Sequence, residues 1–291
     1  MRRRGPTHGS IGGRDEPLPL VLLRLRLRAC DDSPRALARL ARALGADPRA
    51  GARALAELAE RRIEAARRER RRLAALFALR RALLRAGARA VAGVDEAGMG
   101  PLAGPVVAAA VVLPARVHLP GLDDSKRLPA PERERLAAAI HASALAVAVA
   151  ELWPDEIDRR NIYRAGLEAM RRAVAALAVA PDHVLVDART IPDLAVPQTP
   201  LVGGDALDGS IAAASIVAKV HRDALMRRLD AEYPGYGFAQ HKGYATASHL
   251  AALRSRGPSP VHRRSFVPVS QPGLFDGDAD RAGALPLGPT A

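Results

Sequence analysis

Apolar positions repeat with two different rhythms along the chain, and the change falls near residue 90. Before it, apolar residues recur at helical spacing among arginines. Asp32-Ser33-Pro34 reads as a helix start and Gly45 as its stop; Asp47-Pro48 opens a second helix predicted to run to about Gly87. That long helix carries Leu55, Leu58, Ile63, Leu73, Leu76 and Phe77 among the pairs and triplets from Arg61 to Arg72. Leu23 to Arg28 alternates Leu with Arg, the period of a short strand. From Val91 onward, short Val/Ala/Leu runs alternate with helical segments. Strands are predicted at 91–94, 106–113, 144–152, 183–186 and 197–202, and helices at 131–141, 161–177, 210–232 and 246–256. Tyr233-Pro234-Gly235-Tyr236-Gly237 breaks the chain after the longest of these. Strands and helices in this order predict an α/β fold, a sheet with helices packed on it. Residues 1–17 and 270–291 are too polar and too rich in Gly and Pro to form a core, and are expected to be disordered. The expected organisation is therefore a small, mainly helical module over 18–89 and an α/β domain over 90–269.

Composition narrows the class. The 291 residues are 48% hydrophobic and only 3% aromatic, so the core must be built from Ala, Val, Leu and Ile. A single cysteine, Cys30, excludes an internal disulfide and a multi-cysteine metal site, which suits a reducing compartment. No apolar run approaches a membrane span, and the run 18–23 passes directly into Arg24, Arg26 and Arg28, so no signal peptide is read and a cytoplasmic, monomeric protein is expected. The formal charge of +13 is unevenly placed: residues 1–90 hold 23 Arg against nine acidic residues, and the remainder is close to neutral. Such a block is an electrostatic contact for a polyanion, or else a set of solvated helix faces. Only three basic residues are lysines, namely Lys126, Lys219 and Lys242. A compact ammonium in place of the habitual planar fork marks those positions as special.

The candidate chemistry lies where predicted strands end. Asp95 and Glu96 follow an apolar run and precede a turn containing Gly98, Gly100 and Gly104; Asp187 ends the run 183–186; Asp205 follows Gly203-Gly204. Each alone has a plain structural reading, as a hairpin cap, a turn residue or a helix N-cap. Strand ends of α/β sheets converge on one edge, and four converging carboxylates repel one another unless divalent cations lie between them. Oxygen-only ligands favour Mg²⁺ or Mn²⁺, and two such ions about 4 Å apart serve phosphodiester cleavage.

These segments resemble the ribonuclease HII family. The resemblance rests on Val94-Asp95-Glu96-Ala97-Gly98 with Gly100-Pro101-Leu102-Ala103-Gly104, on Asp124-Ser125-Lys126, on His183 to Asp187, and on Gly204-Asp205-Ala206. It continues through Ser210 to Ser215, Tyr233 to Gly237, His241-Lys242-Gly243-Tyr244 and His262-Arg263-Arg264-Ser265-Phe266, covering about residues 90–269; the region from about Asp47 resembles an extension found on some bacterial members. The resemblance implies an RNase H-like mixed sheet flanked by helices. It also implies cleavage of RNA in RNA–DNA hybrids and of single ribonucleotides embedded in duplex DNA, leaving 3′-hydroxyl and 5′-phosphate ends. The family's four metal-binding carboxylates match Asp95, Glu96, Asp187 and Asp205. Its turn that reads the ribose 2′-hydroxyl matches Gly98, Met99 and Gly100, and its stacking tyrosine matches Tyr244. Ser125, Lys126 and Lys242 fall in matching segments and are expected at the substrate.

Three positions depart from the family pattern. Met99 stands where Arg is usual, which removes a charged contact at the junction. Ala188 follows Asp187 where Gly is usual. Leu207-Asp208 replaces a common Lys-Ser pair, which is expected to add negative charge near the metals. An alternative reading is a non-cleaving nucleic-acid-binding protein that works through its basic N-terminal module. In the tail, Gln271, Leu274 and Phe275 have the spacing of a short motif by which bacterial replication and repair proteins dock on the sliding clamp.

Overall fold

The computed structural model describes residues 18–30 and 34–271, and these divide into two compact units with the boundary between Arg72 and Leu73. Leu274 and Phe275 of the tail motif lie outside the described residues.

The first unit is helical: α1 (Leu20–Ala29), α2 (Pro34–Gly45) and most of α3 (Ala50–Leu76). Its core gathers Leu23, Leu27, Leu37, Leu44, Leu55, Ala59 and Ile63. The strand expected at 23–28 is instead the second half of α1. Alternate leucines include an i,i+4 pair, and Leu23 and Leu27 are the ones buried while Leu25 is 53% exposed. Arg62 of α3 donates to the carbonyls of Leu27 and Cys30, satisfying the C-terminal end of α1. Farther along α3 the acidic residues are outnumbered: Glu64 lies within 4.0 Å of Arg67, Arg68 and Arg71 together.

The second unit begins at Leu73, earlier than the boundary at residue 90 expected from the sequence. The helix expected to continue to Gly87 breaks at Phe77, and α4 (Ala78–Arg85) follows. Neither Gly nor Pro causes the break. Phe77 is buried, and its ring lies so close to Gly209 that a Cβ there would fall 2.4 Å from it. Successive turns of the same segment pack into one core: Leu73 and Phe77 join the buried cluster of Val107, Val111 and Leu136.

The sheet is mixed. Strands β1 (Val91–Ala97), β2 (Val106–Val112), β3 (Ala146–Leu152), β4 (His183–Asp187) and β5 (Gln198–Leu201) lie in the order β3-β2-β1-β4-β5. The pairs β1·β2 and β2·β3 are antiparallel, and β1·β4 and β4·β5 are parallel. Around and after the strands come α5 (Ala130–Ser143), α6 (Pro154–Arg160), α7 (Ile162–Ala175), α8 (Gly204–Leu207), α9 (Gly209–Glu232), α10 (Phe238–His241), α11 (Ala247–Arg256) and α12 (Val267–Ser270). Alternation along β1 and β2 sorts the core into two layers. Ala92, Val94, Val106, Ala108 and Val112 face Ile157 of α6 and Ala165, Ala169 and Ala173 of α7. Val107, Ala109 and Val111 face α5 and Ala213, Ile216 and Val217 of α9. Gly93 admits α9 against β1, since a Cβ there would lie 2.1 Å from the Ser210 backbone. Among the described residues, no helix is long and apolar enough to cross a membrane.

Candidate active site

Four carboxylates meet at the end of the two central parallel strands. The last registered pair of β1 and β4 is Val94 with Val186, so Asp95 and Asp187 are the next residues on neighbouring strands. Asp95 points to the α9 side, where its carboxylate is held by the Ser215 hydroxyl and the Glu96 amide. Glu96 lies on the opposite face of the same strand, and its charge still acts on Asp95, as Asp187 acts on both. The carboxylates therefore straddle the sheet end without needing the strand to stop between them; β1 continues to Ala97. After β4, Ala188 turns the chain at φ 56°, a left-handed conformation that costs a residue with a Cβ about 1–2 kcal/mol. The Asp187 carboxylate accepts from the Gly204 N–H at 2.7 Å, which ties it to the start of α8, and Asp205 is the second residue of that helix.

Burial and mutual charge set the electrostatics of the cluster. Burial, with Glu96 and Asp187 beside it, pushes Asp95 well above the usual carboxylate range. Burial and Asp187 push Glu96 up to about 6, and burial raises Asp187. The buried Glu96 Oε2 has no hydrogen-bond partner among the described residues. Lys126 Nζ lies 3.2 Å from Asp205 Oδ2 and is the cation that enters the cluster from the α5 side. No three His, Cys, Asp or Glu side chains among the described residues are already drawn to metal-ligand spacing. An orphaned buried oxygen, an all-oxygen donor set and raised carboxylates fit a hard divalent cation.

Beside the carboxylates lies the turn Gly98-Met99-Gly100. Gly98 has φ 94°, and a Cβ there would strike Arg222 Nε at 2.1 Å. Two buried arginines hold this turn from beneath. Arg263 donates to the carbonyls of Gly98, Met99 and Gly104 at 2.6–3.0 Å. Arg222 donates to those of Ala103, Pro105 and Lys242 at 3.0–3.1 Å. Burial lowers both guanidinium groups, Arg263 to about 9. The turn's carbonyls thus face inward, and no described residue accepts from the N–H of Met99 or Gly100. The Met99 thioether packs on α7, where a Cβ at Gly166 would lie 2.9 Å from its sulfur. Tyr244 is 45% exposed, with its ring edge 3.9 Å from the position of a Cβ at Gly100.

Tyr244 is itself anchored by a relay of uncharged histidines. The Ser259 N–H donates to His262 Nδ1, which leaves the His262 Nε2–H to donate to His249 Nε2 and the His249 Nδ1–H to donate to the Tyr244 carbonyl. Burial pulls His249 and His262 down to about 4.

Several expected residues play parts other than those read from the sequence. Ser125 is buried and bonded to Ser215 Oγ at 2.9 Å, and Ser215 in turn holds the Asp95 carboxylate. Lys126 does reach the cluster, but the Lys242 ammonium bonds the carbonyl of Ala239, and Lys219 pairs with Asp223 at 2.7 Å. Asp208 does not add charge to the metal site. It caps α9 through the Ser210 N–H at 2.7 Å, and the cation acting with it is Arg80. Gln271 follows α12, where its N–H donates to the Val267 carbonyl. Arg222 and Arg263 received no role from the sequence; in a chain whose basic residues are nearly all arginine, nothing local marks Arg222, and the segment of Arg263 resembles the family without giving it a role.

A mixed sheet with carboxylates gathered at the end of its central strands defines the ribonuclease H class of nuclease. Residues 92–269 match the family model "Ribonuclease HII". The ribonuclease HII of Myxococcus xanthus is 58% identical over 233 residues, which are 80% of this chain and 80% of that protein. That of Moorella thermoacetica is 56% identical over 198 residues, 68% of this chain and 96% of that protein. Among solved structures, the ribonuclease H2 from Pyrococcus horikoshii aligns with a TM-score of 0.55 at 27% identity, over 63% of this chain and 96% of that one. A structure described as the PCNA:RNase HII complex from Archaeoglobus fulgidus aligns with a TM-score of 0.50 at 26% identity, over 60% of this chain and 93% of that one. The chain belongs to the ribonuclease HII family. It is a metal-dependent endonuclease with ribonuclease H activity on RNA–DNA.

Proposed function

We propose that this endonuclease cleaves both RNA in RNA–DNA hybrids and single ribonucleotides embedded in duplex DNA, on the 5′ side of the ribonucleotide. The observation that carries the reading is the neighbourhood of two features. The carboxylates at the sheet end lie beside a turn whose Met99 and Gly100 N–H groups have no acceptor among the described residues, next to an exposed tyrosine ring. A ribose 2′-hydroxyl is the group that separates RNA from DNA, and it can accept hydrogen bonds. In this reading the N–H groups of Met99 and Gly100 bond it, and the Tyr244 ring stacks beside it. Arg222 and Arg263 keep that turn in register with the carboxylates. Asp95, Glu96, Asp187 and Asp205 would hold two Mg²⁺ or Mn²⁺ ions. Such ions would supply activation of the attacking water and charge to steady the leaving 3′-oxygen. The test is a DNA duplex bearing one ribonucleotide, incubated with and without Mg²⁺ or Mn²⁺. One metal-dependent cut yielding a 3′-hydroxyl and a 5′-phosphate is expected. Binding without any cut in either metal would favour the non-cleaving alternative instead.

A second reading concerns the tail. The spacing of Gln271, Leu274 and Phe275 fits docking on a sliding clamp, and the Archaeoglobus fulgidus relative in complex with PCNA supports a clamp as a partner of this family. A peptide of residues 270–291 is expected to bind the clamp of the same organism at micromolar concentration. The doubly substituted peptide L274A/F275A is expected not to bind. Equal binding of the two peptides would refute the motif.

A further inference from the structure

We propose that Arg189, backed by the ring of Tyr163, forms a phosphate-binding site for the duplex backbone on the Glu96 side of the carboxylates. The proposal rests on the reading of this site as one that takes a nucleic-acid duplex.

The geometry begins at the end of β4. The left-handed turn at Ala188 redirects the chain immediately after Asp187, and the Arg189 N–H returns to the Asp187 carbonyl at 2.6 Å. That carries the side chain across to α7, where the guanidinium carbon lies 4.5 Å from the centre of the Tyr163 ring. Tyr163 is 51% exposed. It sits one turn before Gly166, the residue that cradles the Met99 thioether, so Tyr163 and Met99 share one face of α7. The guanidinium charge also acts on Glu96. Arg189 therefore stands at the rim common to the carboxylates and the Gly98–Gly100 turn.

Arg189 is uncommitted, unlike the paired or buried cations nearest the site. Arg171 and Arg172, on the same helix as Tyr163, are paired with Glu168 and Glu156 at 2.6–2.8 Å. Arg222 and Arg263 spend their N–H groups on backbone carbonyls. Lys126, the cation on the other side of the cluster, is paired with Asp205. Among the described residues the guanidinium of Arg189 has no hydrogen-bonded or ion-paired partner, and its contact is the Tyr163 ring. Stacking on tyrosine uses the face of the guanidinium and leaves the N–H fork at its edge free. A fork held flat on a ring is oriented before the ligand arrives, and phosphate is the group that such a fork matches with two parallel hydrogen bonds. A duplex laid over four carboxylates also needs fixed positive charge beside them. Met99 supplies none, and Arg189 lies on the same face of α7.

The alternative is that Arg189 serves only to steady the charge of Glu96, and the two roles separate in solution. The full chain is titrated onto a fluorescein-labelled DNA duplex containing one ribonucleotide, in EDTA, across a series of NaCl concentrations. Arg189→Ala is expected to weaken binding about tenfold or more and to lower the log–log salt slope by about 0.9, as when one phosphate is no longer neutralised. Arg189→Lys should keep the slope while losing part of the affinity, since the charge remains and the fork does not. Tyr163→Ala should weaken binding with the slope kept. In cleavage, Arg189→Ala should raise KM and leave kcat within about twofold, because the interaction is the same in ground and transition states. Unchanged affinity and slope in Arg189→Ala, with the melting temperature preserved, would overturn the proposal. So would a fall in kcat accompanied by a shift in the metal concentration for half-maximal rate, with binding intact. If wild type cleaves while Arg189→Ala binds normally, this inference alone fails. If wild type neither binds nor cleaves the duplex, the parent reading fails with it.

Discussion

Asp95→Asn is expected to reduce cleavage by on the order of 10⁴-fold, the scale on which loss of one member of an interdependent catalytic set acts. The same substitution should make the metal-free protein more stable. Both effects have one cause. Asp95 is 4% exposed, and burial together with the charges of Glu96 and Asp187 opposes its ionised form. An amide keeps the hydrogen bond from the Glu96 N–H and removes the buried charge, a relief of on the order of 1–3 kcal/mol. For a unit of this size each kcal/mol raises Tm by about 2–4 °C. The pH dependence has a definite sign. A carboxyl whose pKa is raised on folding binds more protons in the folded state, so its contribution to stability is lost as pH rises. For Glu96 that window runs from 4.5 to about 6. The buried His249 and His262 act in the opposite sense, losing stability as pH falls from 6.5 towards about 4. Their effect is common to both proteins, so the difference in Tm between Asp95→Asn and wild type in EDTA isolates the carboxylates and should grow from pH 5 to pH 7. Adding Mg²⁺ or Mn²⁺ should reverse the order. A ligand at a hundred times its Kd stabilises wild type by about 2.7 kcal/mol, and the variant should gain little. Cleavage by Asp95→Asn within tenfold of wild type would sink the assignment of the four carboxylates.

The carboxylates were legible in the sequence because their surroundings are local. Asp95 and Glu96 follow an apolar run and precede glycines, and parallel pairing of that run with 183–186 brings Asp187 alongside. The supports of the site were not legible, because they depend on residues far apart in the chain. Arg263 reaches Gly98 across 165 positions, and Arg222 reaches Ala103 across 119. Arg222 has no local mark, and Arg263, although in a segment that resembles the family, received no role from it. The partner of Ser125 was hidden for the same reason: its segment resembles a substrate-side loop, and only the packing of α9 brings Ser215 to its hydroxyl. The leucine–arginine alternation of α1 is a different failure. Leucines at every second position satisfy a strand period and also contain the i,i+4 pair that a helix buries, and the tertiary core selected the helix.

The break at Phe77 leads to the second large effect. Deleting residues 1–88 is expected to destroy the catalytic unit, whereas deleting residues 1–72 should leave it folded. The segment 73–88 carries no strand of the sheet, yet it closes one face of it. Leu73 and Phe77 are 6% exposed, and Phe77 fills the space over Gly209 where α9 begins. Arg80 is 1% exposed and donates to the carbonyls of Leu113 and Pro114 at 2.5 and 2.9 Å, where β2 has just ended. Truncating one buried phenylalanine alone costs about 3–5 kcal/mol, a large share of the roughly 5–15 kcal/mol that holds a domain together. Removing Leu73, Phe77 and the two carbonyl hydrogen bonds of Arg80 together exceeds what a domain has to spare. The shorter deletion removes a different quantity. Residues 1–72 carry 19 Arg against nine acidic residues, a net of +10, and none of the described ones belongs to the buried clusters of the sheet. A protein starting at Leu73 should therefore melt cooperatively and still cut a ribonucleotide-containing duplex. It should bind that duplex more weakly, with a log–log salt slope shallower by about 0.9 for each phosphate no longer neutralised. Melting of both truncated proteins, with duplex titrations across salt, decides the matter. Equal stability of the two would show that α4 is dispensable to the sheet. An unchanged slope in the protein lacking 1–72 would show that the arginines of the helical unit do not touch the duplex.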